Sequence, residues 1–247
     1  MNILKLIYLS VVLTSSSFFS QQKVIQIQKD FNKVIISPHI EVVLKQGTEP
    51  KIEVESINVS PEKLKYEIVN KTLQVYLEGA KTVTKNKKVV YNGHKRKIPL
   101  YKNTVAKVIL TYKDVAVFSL RGEEKINFNS QIQQDKCVLR IYGKSHVTIN
   151  SVKVKKLKTT LFGNGYLELN QGNVSDHKVT AYGESKVMAT NLKTNQTRIT
   201  AYGEGVFQVY ANNRLKVTSY GEATILYKGN PQVNKGIVIG KSTIQKF

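Results

Sequence analysis

The chain has 247 residues, of which 41% are hydrophobic, enough to bury a core and too many for a disordered polymer. Against 17 Asp and Glu stand 38 Lys and Arg, a formal net charge of +21 that predicts attraction to polyanions and says nothing of the fold. One cysteine excludes an intramolecular disulfide, and 13 Tyr and 8 Phe with no Trp favour strands over a helical bundle.

The first residues read as a secretory leader, residues 1–20. Lys5 is the positive end, Leu6 to Leu13 the apolar run, and Ser15, Ser16 and Ser17 the small residues ahead of a cut after Ser20. The run is too short to span a bilayer, and no cysteine follows it to carry a lipid. The mature chain shows no other transmembrane candidate. The expected location is therefore exported: periplasm, cell surface or extracellular.

An N-terminal β region follows, residues 21–112. Val34-Ile35-Ile36, Ile40 to Leu44, Ile52-Glu53-Val54, Tyr66 to Val69 and Leu73 to Leu77 alternate apolar and polar side chains as strands do. Gln46 to Pro50 and Asn70 to Thr72 read as turns, and Pro61 to Leu64 as one helical turn. Residues 81–102 differ. Lys81, Lys85, Lys87, Lys88, Lys95, Arg96, Lys97 and Lys102 occur there with no acid, which predicts an exposed basic hairpin or loop. Tyr91 and Tyr101 are interleaved with the cations in a way that suits a polyanion. A plain solvated loop is the alternative.

Residues 113–247 carry a repeat. Gly143, Gly163, Gly183, Gly203 and Gly221 are spaced by 20, 20, 20 and 18 residues, each preceded by Tyr or Phe. Weaker copies stand at Gly122 and Gly240. A fixed period of this size marks stacked structural units. Two strands per unit flank the glycine, which is expected to turn a corner with positive φ. Leu139, Thr159, Val179, Ile199 and Val217 form one inward row, and Ile141, Leu161, Ala181, Ala201 and Ser219 a second. After the glycine, Val147, Leu167, Val187, Phe207 and Ile225 and then Ile149, Leu169, Ala189, Val209 and Tyr227 form two more. The fold class is all-β: a right-handed parallel β-helix-like solenoid of coils about 20 residues long, each coil stabilised by its neighbours.

The neighbours of those rows face outward. Tyr142, Phe162, Tyr182, Tyr202 and Tyr220 form an aromatic ladder. Lys158, Lys178, Arg198 and Lys216, with Val138, form a largely basic one, and Arg140, Thr160, Thr180, Thr200 and Thr218 lie between. Three readings stay open. The rings stack on sugars of an anionic glycan held by the cations, they are buried in a homo-oligomer interface, or they pair along the solenoid and only stabilise it. Glu184, Glu204 and Glu222 stack one position after the glycine. They would hold a cation such as Ca²⁺, or be compensated by lysines such as Lys186.

No catalytic residues emerge. The stacked acids make a turn ladder rather than the paired carboxylates of a glycoside-cleaving site. His39, His94, His146 and His177 stand in unrelated contexts without metal-ligand spacing. Neither a nucleophile elbow nor a phosphate loop is present, and Cys137 reads as an apolar filler. The expectation is a non-enzyme with no cofactor and no metal; a polysaccharide-active enzyme is the last-ranked alternative. No nucleic-acid motif accompanies the basic charge.

The order of parts resembles the putative auto-transporter adhesin head GIN domain family of exported bacterial proteins. The residues that carry the resemblance are Phe31-Asn32-Lys33-Val34-Ile35-Ile36, Ile40 to Gly47, Leu215-Lys216-Val217-Thr218, and Gly221 to Pro231 with its Tyr227-Lys228-Gly229-Asn230-Pro231 close. It covers roughly residues 28–244. It implies a β-helical fold and an adhesin-like interaction module of the cell envelope or surface, and it brings no catalytic residues. Two features depart from the family pattern: Tyr or Phe before the turn glycine with Glu often after it, and the basic segment 81–102.

Overall fold

The computed structural model describes residues 23–91 and 94–247; the expected leader lies outside them. Strands β1 (Lys23–Gln26), β2 (Lys33–Ile36), β3 (Ile40–Gln46), β4 (Lys51–Ile57), β5 (Leu64–Val69) and β6 (Thr72–Leu77) come first, with a 3-10 turn at Pro61–Lys63. A hairpin follows, β7 (Asn86–Tyr91) and β8 (His94–Pro99). Then come β9 (Ala106–Tyr112), β10 (Val117–Gly122) and β11 (Lys125–Phe128). The repeat alternates long and short strands: β12 (Ile132–Gly143), β13 (His146–Ile149), β14 (Val152–Phe162), β15 (Tyr166–Leu169), β16 (Gly172–Tyr182), β17 (Lys186–Ala189), β18 (Leu192–Tyr202) and β19 (Val206–Tyr210). It closes with β20 (Arg214–Tyr220), β21 (Thr224–Lys228), β22 (Gln232–Ile239) and β23 (Thr243–Lys246).

Two sheets run the length of a β-solenoid. One is ordered β22-β20-β18-β16-β14-β12-β10-β2-β6-β5, the other β1-β4-β9-β3-β11-β13-β15-β17-β19-β21-β23. Within the repeat every pairing is parallel and joins a residue to its counterpart one coil later, as in Tyr142↔Phe162, Phe162↔Tyr182 and Tyr182↔Tyr202. Near residue 113 both sheets continue without interruption. β2 pairs with β10 and β3 with β11, so residues 23–112 build the first coils and close them with the antiparallel strands β1, β4 and β5.

The inward rows are as the alternation predicts. Leu139, Thr159, Val179, Ile199 and Val217 are fully buried, as are Val147, Leu167, Val187, Phe207 and Ile225. Only Tyr227, in the last of those rows, is half-buried rather than inside. Each repeat coil has the two strands expected, but the longer one does not run straight. β14 buries Val152 and Val154, then turns both Lys155 and Lys156 outward, then buries Leu157, Thr159 and Leu161. Two consecutive outward side chains break the alternation, and Asp135, Lys155, Ser175 and Asn195 drop out of the ladder pairing. Such a break bends the strand. Each long strand therefore serves two walls of the coil, and the short strand after the glycine supplies the third.

The glycine corner is obligatory for two separate reasons. Gly183 has φ +99°, a region that side chains with a Cβ avoid. A Cβ there would also lie 2.9 Å from the carbonyl oxygen of Gly163, one coil below, and at Gly203 the same distance separates it from the Gly183 oxygen. The corner is stitched from coil to coil as well. Gly163 N–H donates to the Tyr182 carbonyl at 2.8 Å, and Gly183 N–H to that of Tyr202 at 2.8 Å. The Ser185 hydroxyl donates to the Gly163 carbonyl at 2.9 Å.

Two titratable side chains inside the coil show how burial acts on them. His177 is buried, with Nε2 3.2 Å from the Thr159 hydroxyl and Nδ1 without a partner. Burial pushes its pKa down from 6.5 to about 4. Cys137 is fully buried, and burial raises its thiol to about 12, so it is an inert filler.

Gly183→Ala should cost about 2–3 kcal/mol in denaturant unfolding, from strained φ and the carbonyl clash together, whereas Lys144→Ala, on an exposed corner, should be near neutral. The second expectation concerns pH. The unfolded chain protonates His177 near 6.5 while the folded chain does not until about 4, so stability is lost as pH falls through that window. The loss attributable to this residue should be about 3 kcal/mol. Unfolding of His177→Leu across the same pH range should lack it; an unchanged pH profile would reject the assignment.

Candidate functional site

The second half of each long strand forms a wall of regular parallel register. Its side chains alternate inward and outward, so its outward positions fall into straight rows one ladder step apart, about 4.8 Å. Tyr142, Phe162, Tyr182, Tyr202 and Tyr220 lie along one edge, beside the glycine corner. Arg140, Thr160, Thr180, Thr200 and Thr218 come next, then Val138, Lys158, Lys178, Arg198 and Lys216. An open depression of about 430 Å³ runs over the first two rows and is bordered by Lys158 and Lys178.

The five rings are stacked on one another. Successive centroids are 4.9, 5.0, 4.9 and 5.1 Å apart, and successive planes are within 7° of parallel. Phe162, Tyr182 and Tyr202 are 38, 41 and 39% exposed, but what they expose is ring edge. Each of these three faces is covered by the neighbouring ring. The Arg121 guanidinium lies 5.6 Å from the Tyr142 centroid and caps the stack at one end. Sugar stacking on the ring faces, one of the sequence-based expectations, has no free face to use along the middle of the ladder. The surface offered instead is a line of ring edges and phenol hydroxyls, interrupted at Phe162, next to a line of threonines.

The basic row carries its charge without compensation. Among the described residues, Lys158, Lys178, Arg198 and Lys216 form no ion pair. Like charges directly opposed on adjacent strands destabilise a sheet, so this row stores repulsion that an external anion would relieve. The acidic corner row behaves differently from expectation. Lys186 does not pair with it; the Asn164 side chain donates to the Glu184 carboxylate at 3.2 Å instead. Among the described residues, no three or more His, Cys, Asp or Glu side chains converge on a metal-sized site.

The basic segment is a hairpin, and its Lys85, Lys87, Lys88, Lys95, Arg96 and Lys97 are all exposed. It does not share the flat wall. Tyr101, expected among its cations as a ligand-facing ring, is buried, with its hydroxyl donating to the Glu78 carbonyl at 2.8 Å. It anchors the root of the hairpin. The four histidines are dispersed: His39 binds the Asn103 carbonyl and Thr84 at the root of the hairpin, His94 is on β8, His146 lies tilted against Tyr166, and His177 is inside.

Sequence reasoning missed His39. It sits at the first corner with φ +71°, one position after Pro38, which holds the place that Gly122 has in the next coil, and it approaches the buried Glu124 carboxylate at 3.7 Å. The signal lay in the missing glycine between Ile36 and Ile40, which the period does not reach.

Residues 30–231 match the family described as putative auto-transporter adhesin, head GIN domain. The chain belongs to this family. Solved structures agree in fold. A putative adhesin from Bacteroides fragilis shares 19% identity over 91% of this chain and 97% of that one, with a TM-score of 0.73. A putative adhesin from Parabacteroides merdae shares 22% identity over 92% and 95%, with a TM-score of 0.65. A putative lipid binding protein from Parabacteroides distasonis shares 16% identity over 93% and 98%, with a TM-score of 0.62. No curated protein matches the sequence. An adhesin-like module, exported or at the surface, is the coarse description that membership supports.

Charge repulsion along the basic row has a measurable consequence. The melting temperature of the protein should rise with added salt, and Lys178→Gln with Arg198→Gln should stabilise the chain at low salt by a few tenths of a kcal/mol and flatten that salt dependence. A salt response identical to that of the unaltered protein would show that the row is already neutralised.

Proposed function

We propose that this head GIN domain protein is a non-enzymatic, exported interaction module that holds an acidic polymer, an anionic glycan in the first place, along its flat wall. The observation that carries this reading is the uncompensated row Lys158, Lys178, Arg198 and Lys216, set beside parallel rows of threonine and tyrosine hydroxyls. The rows repeat at the interval of the strand ladder, so a polymer with regularly spaced acidic groups meets a cation at each coil and a hydroxyl beside it. Electrostatics supplies most of the attraction and makes it salt-dependent. The stacked rings keep the wall flat and rigid, and their edges and hydroxyls set the polymer's position. The dispersion of the histidines and carboxylates supports a binding role over a catalytic one.

Pairing of two copies through this wall is the less favoured reading. Such a dimer would need acids to meet the cations, and the wall carries only Asp176 in the adjoining row of Lys156, Gln196 and Arg214.

Calorimetric titration with an acidic polysaccharide and a neutral one separates the possibilities. The acidic polymer should bind and weaken steeply with salt, and Lys178→Gln with Arg198→Gln should weaken it at least about tenfold, roughly 1.4 kcal/mol. Tyr182→Phe with Tyr202→Phe keeps the stack and removes two hydroxyls, so it should weaken binding by less than the charge change. Equal binding of neutral and acidic polymers would reject the charge mechanism. A wall-dependent dimer in sedimentation would favour the oligomer.

A further inference from the structure

The β7–β8 hairpin stands where other coils have a glycine corner. β6 pairs with β2 and β9 with β3, so residues 78–105 replace the turn that residues 183–185 make between β16 and β17. The root is tightly held. Lys85 N–H donates to the Gly79 carbonyl and Leu100 N–H to the Lys85 carbonyl, both at 2.8 Å. Tyr101 is buried beneath it, and the Thr84 hydroxyl lies 2.6 Å from His39 Nε2.

Past the root, the two strands form a sheet of their own. A lone two-stranded hairpin is marginal in water, and this one carries added repulsion. Lys88 lies directly across from Lys97, and Lys95 is on the same face. Lys87, Arg96 and His94 occupy the other face. Among the described residues, none of the cations from Lys85 to Lys97 pairs with a carboxylate. Near the far end, Val90 is 69% and Tyr91 59% exposed. An arm with cations on both faces and apolar side chains toward its end presents charge in two directions at once, unlike the flat wall. It has the chemistry of a probe that enters a charged, layered surface.

We propose that the β7–β8 hairpin is a docking arm for an anionic lipid surface. Lys87, Lys88, Lys95, Arg96 and Lys97 meet the headgroup phosphates from both sides of the arm, which relieves the Lys88–Lys97 repulsion. Val90 and Tyr91 enter the interfacial layer, where Tyr side chains are favoured. The clamped root holds the arm at a fixed angle to the solenoid, so docking presents the flat wall in one orientation. This inference is independent of what that wall binds.

The chain has no Trp, so Val90→Trp places a single reporter on the arm. With the full chain and vesicles of mixed phosphatidylglycerol and phosphatidylcholine, its fluorescence should shift to the blue. The unaltered chain should co-sediment with the same vesicles and not with phosphatidylcholine alone. Each basic residue near such a surface is worth about fivefold in partitioning, so Lys88→Ala, Lys95→Ala and Lys97→Ala together should lower it roughly a hundredfold. Melting should not fall, because none of these side chains is in the core and their removal relieves the Lys88–Lys97 repulsion. Lys178→Gln with Arg198→Gln should leave vesicle binding in place, which separates this test from that of the wall. Absence of the blue shift, equal partitioning to uncharged vesicles, or insensitivity to the triple change would overturn the proposal. So would capture of a soluble acidic polysaccharide by the arm without any vesicle binding.

Discussion

One steric constraint governs this molecule: at each coil corner the backbone of one turn occupies the space in which the next turn would place a Cβ. Gly163, Gly183 and Gly203 meet it by having none, and they turn with positive φ while their N–H groups bond the following coil. The close approach lets the two sheets keep the same register through successive coils. That register converts a 20-residue period in the chain into straight rows on the surface. Any residue that widened one corner would displace the rows on both adjoining walls.

The surface chemistry follows from that regularity. A ladder multiplies whatever side chain it is given, favourable or not. Aromatic rings one step apart stack with planes nearly parallel, at centroid distances that suit offset stacking. Lysines one step apart repel, and the wall does not place acids among them. The same coil therefore carries a stabilising row and a destabilising row side by side. The destabilising one points outward, with no ion pair among the described residues to offset it. The basic hairpin shows the same property in a different setting, held firmly at its root and unrelieved along its length.

Much of the architecture was legible because solenoid geometry is local. Alternation from Leu139 to Ile141 and from Val147 to Ile149 is enough to place the inward rows, and the Tyr-Gly step is enough to place the corner. The bend at Lys155–Lys156 was written in the sequence too, as two consecutive polar residues between Val154 and Leu157 where alternation calls for one. It was missed because a single slip in alternation resembles ordinary surface variation until it recurs at Asp135–Lys136 and Ser175–Asp176. Tyr101 was misplaced for a related reason. A tyrosine among lysines looks like a ligand contact, and only the Glu78 carbonyl beneath it makes it a structural anchor.

By itself the sequence determined the strand alternation, the corner glycines, the family and the identity of the outward rows, because each depends on neighbours along the chain or one repeat away. Tertiary structure alone decided three things. The ring faces are covered and their edges exposed, because ring orientation depends on the packing of adjacent coils. Residues 23–112 share the two sheets of the repeat, because β2 with β10 and β3 with β11 pair across more than 80 residues. The hairpin replaces a corner, because that is a relation between β6 and β9 that no window along the chain contains.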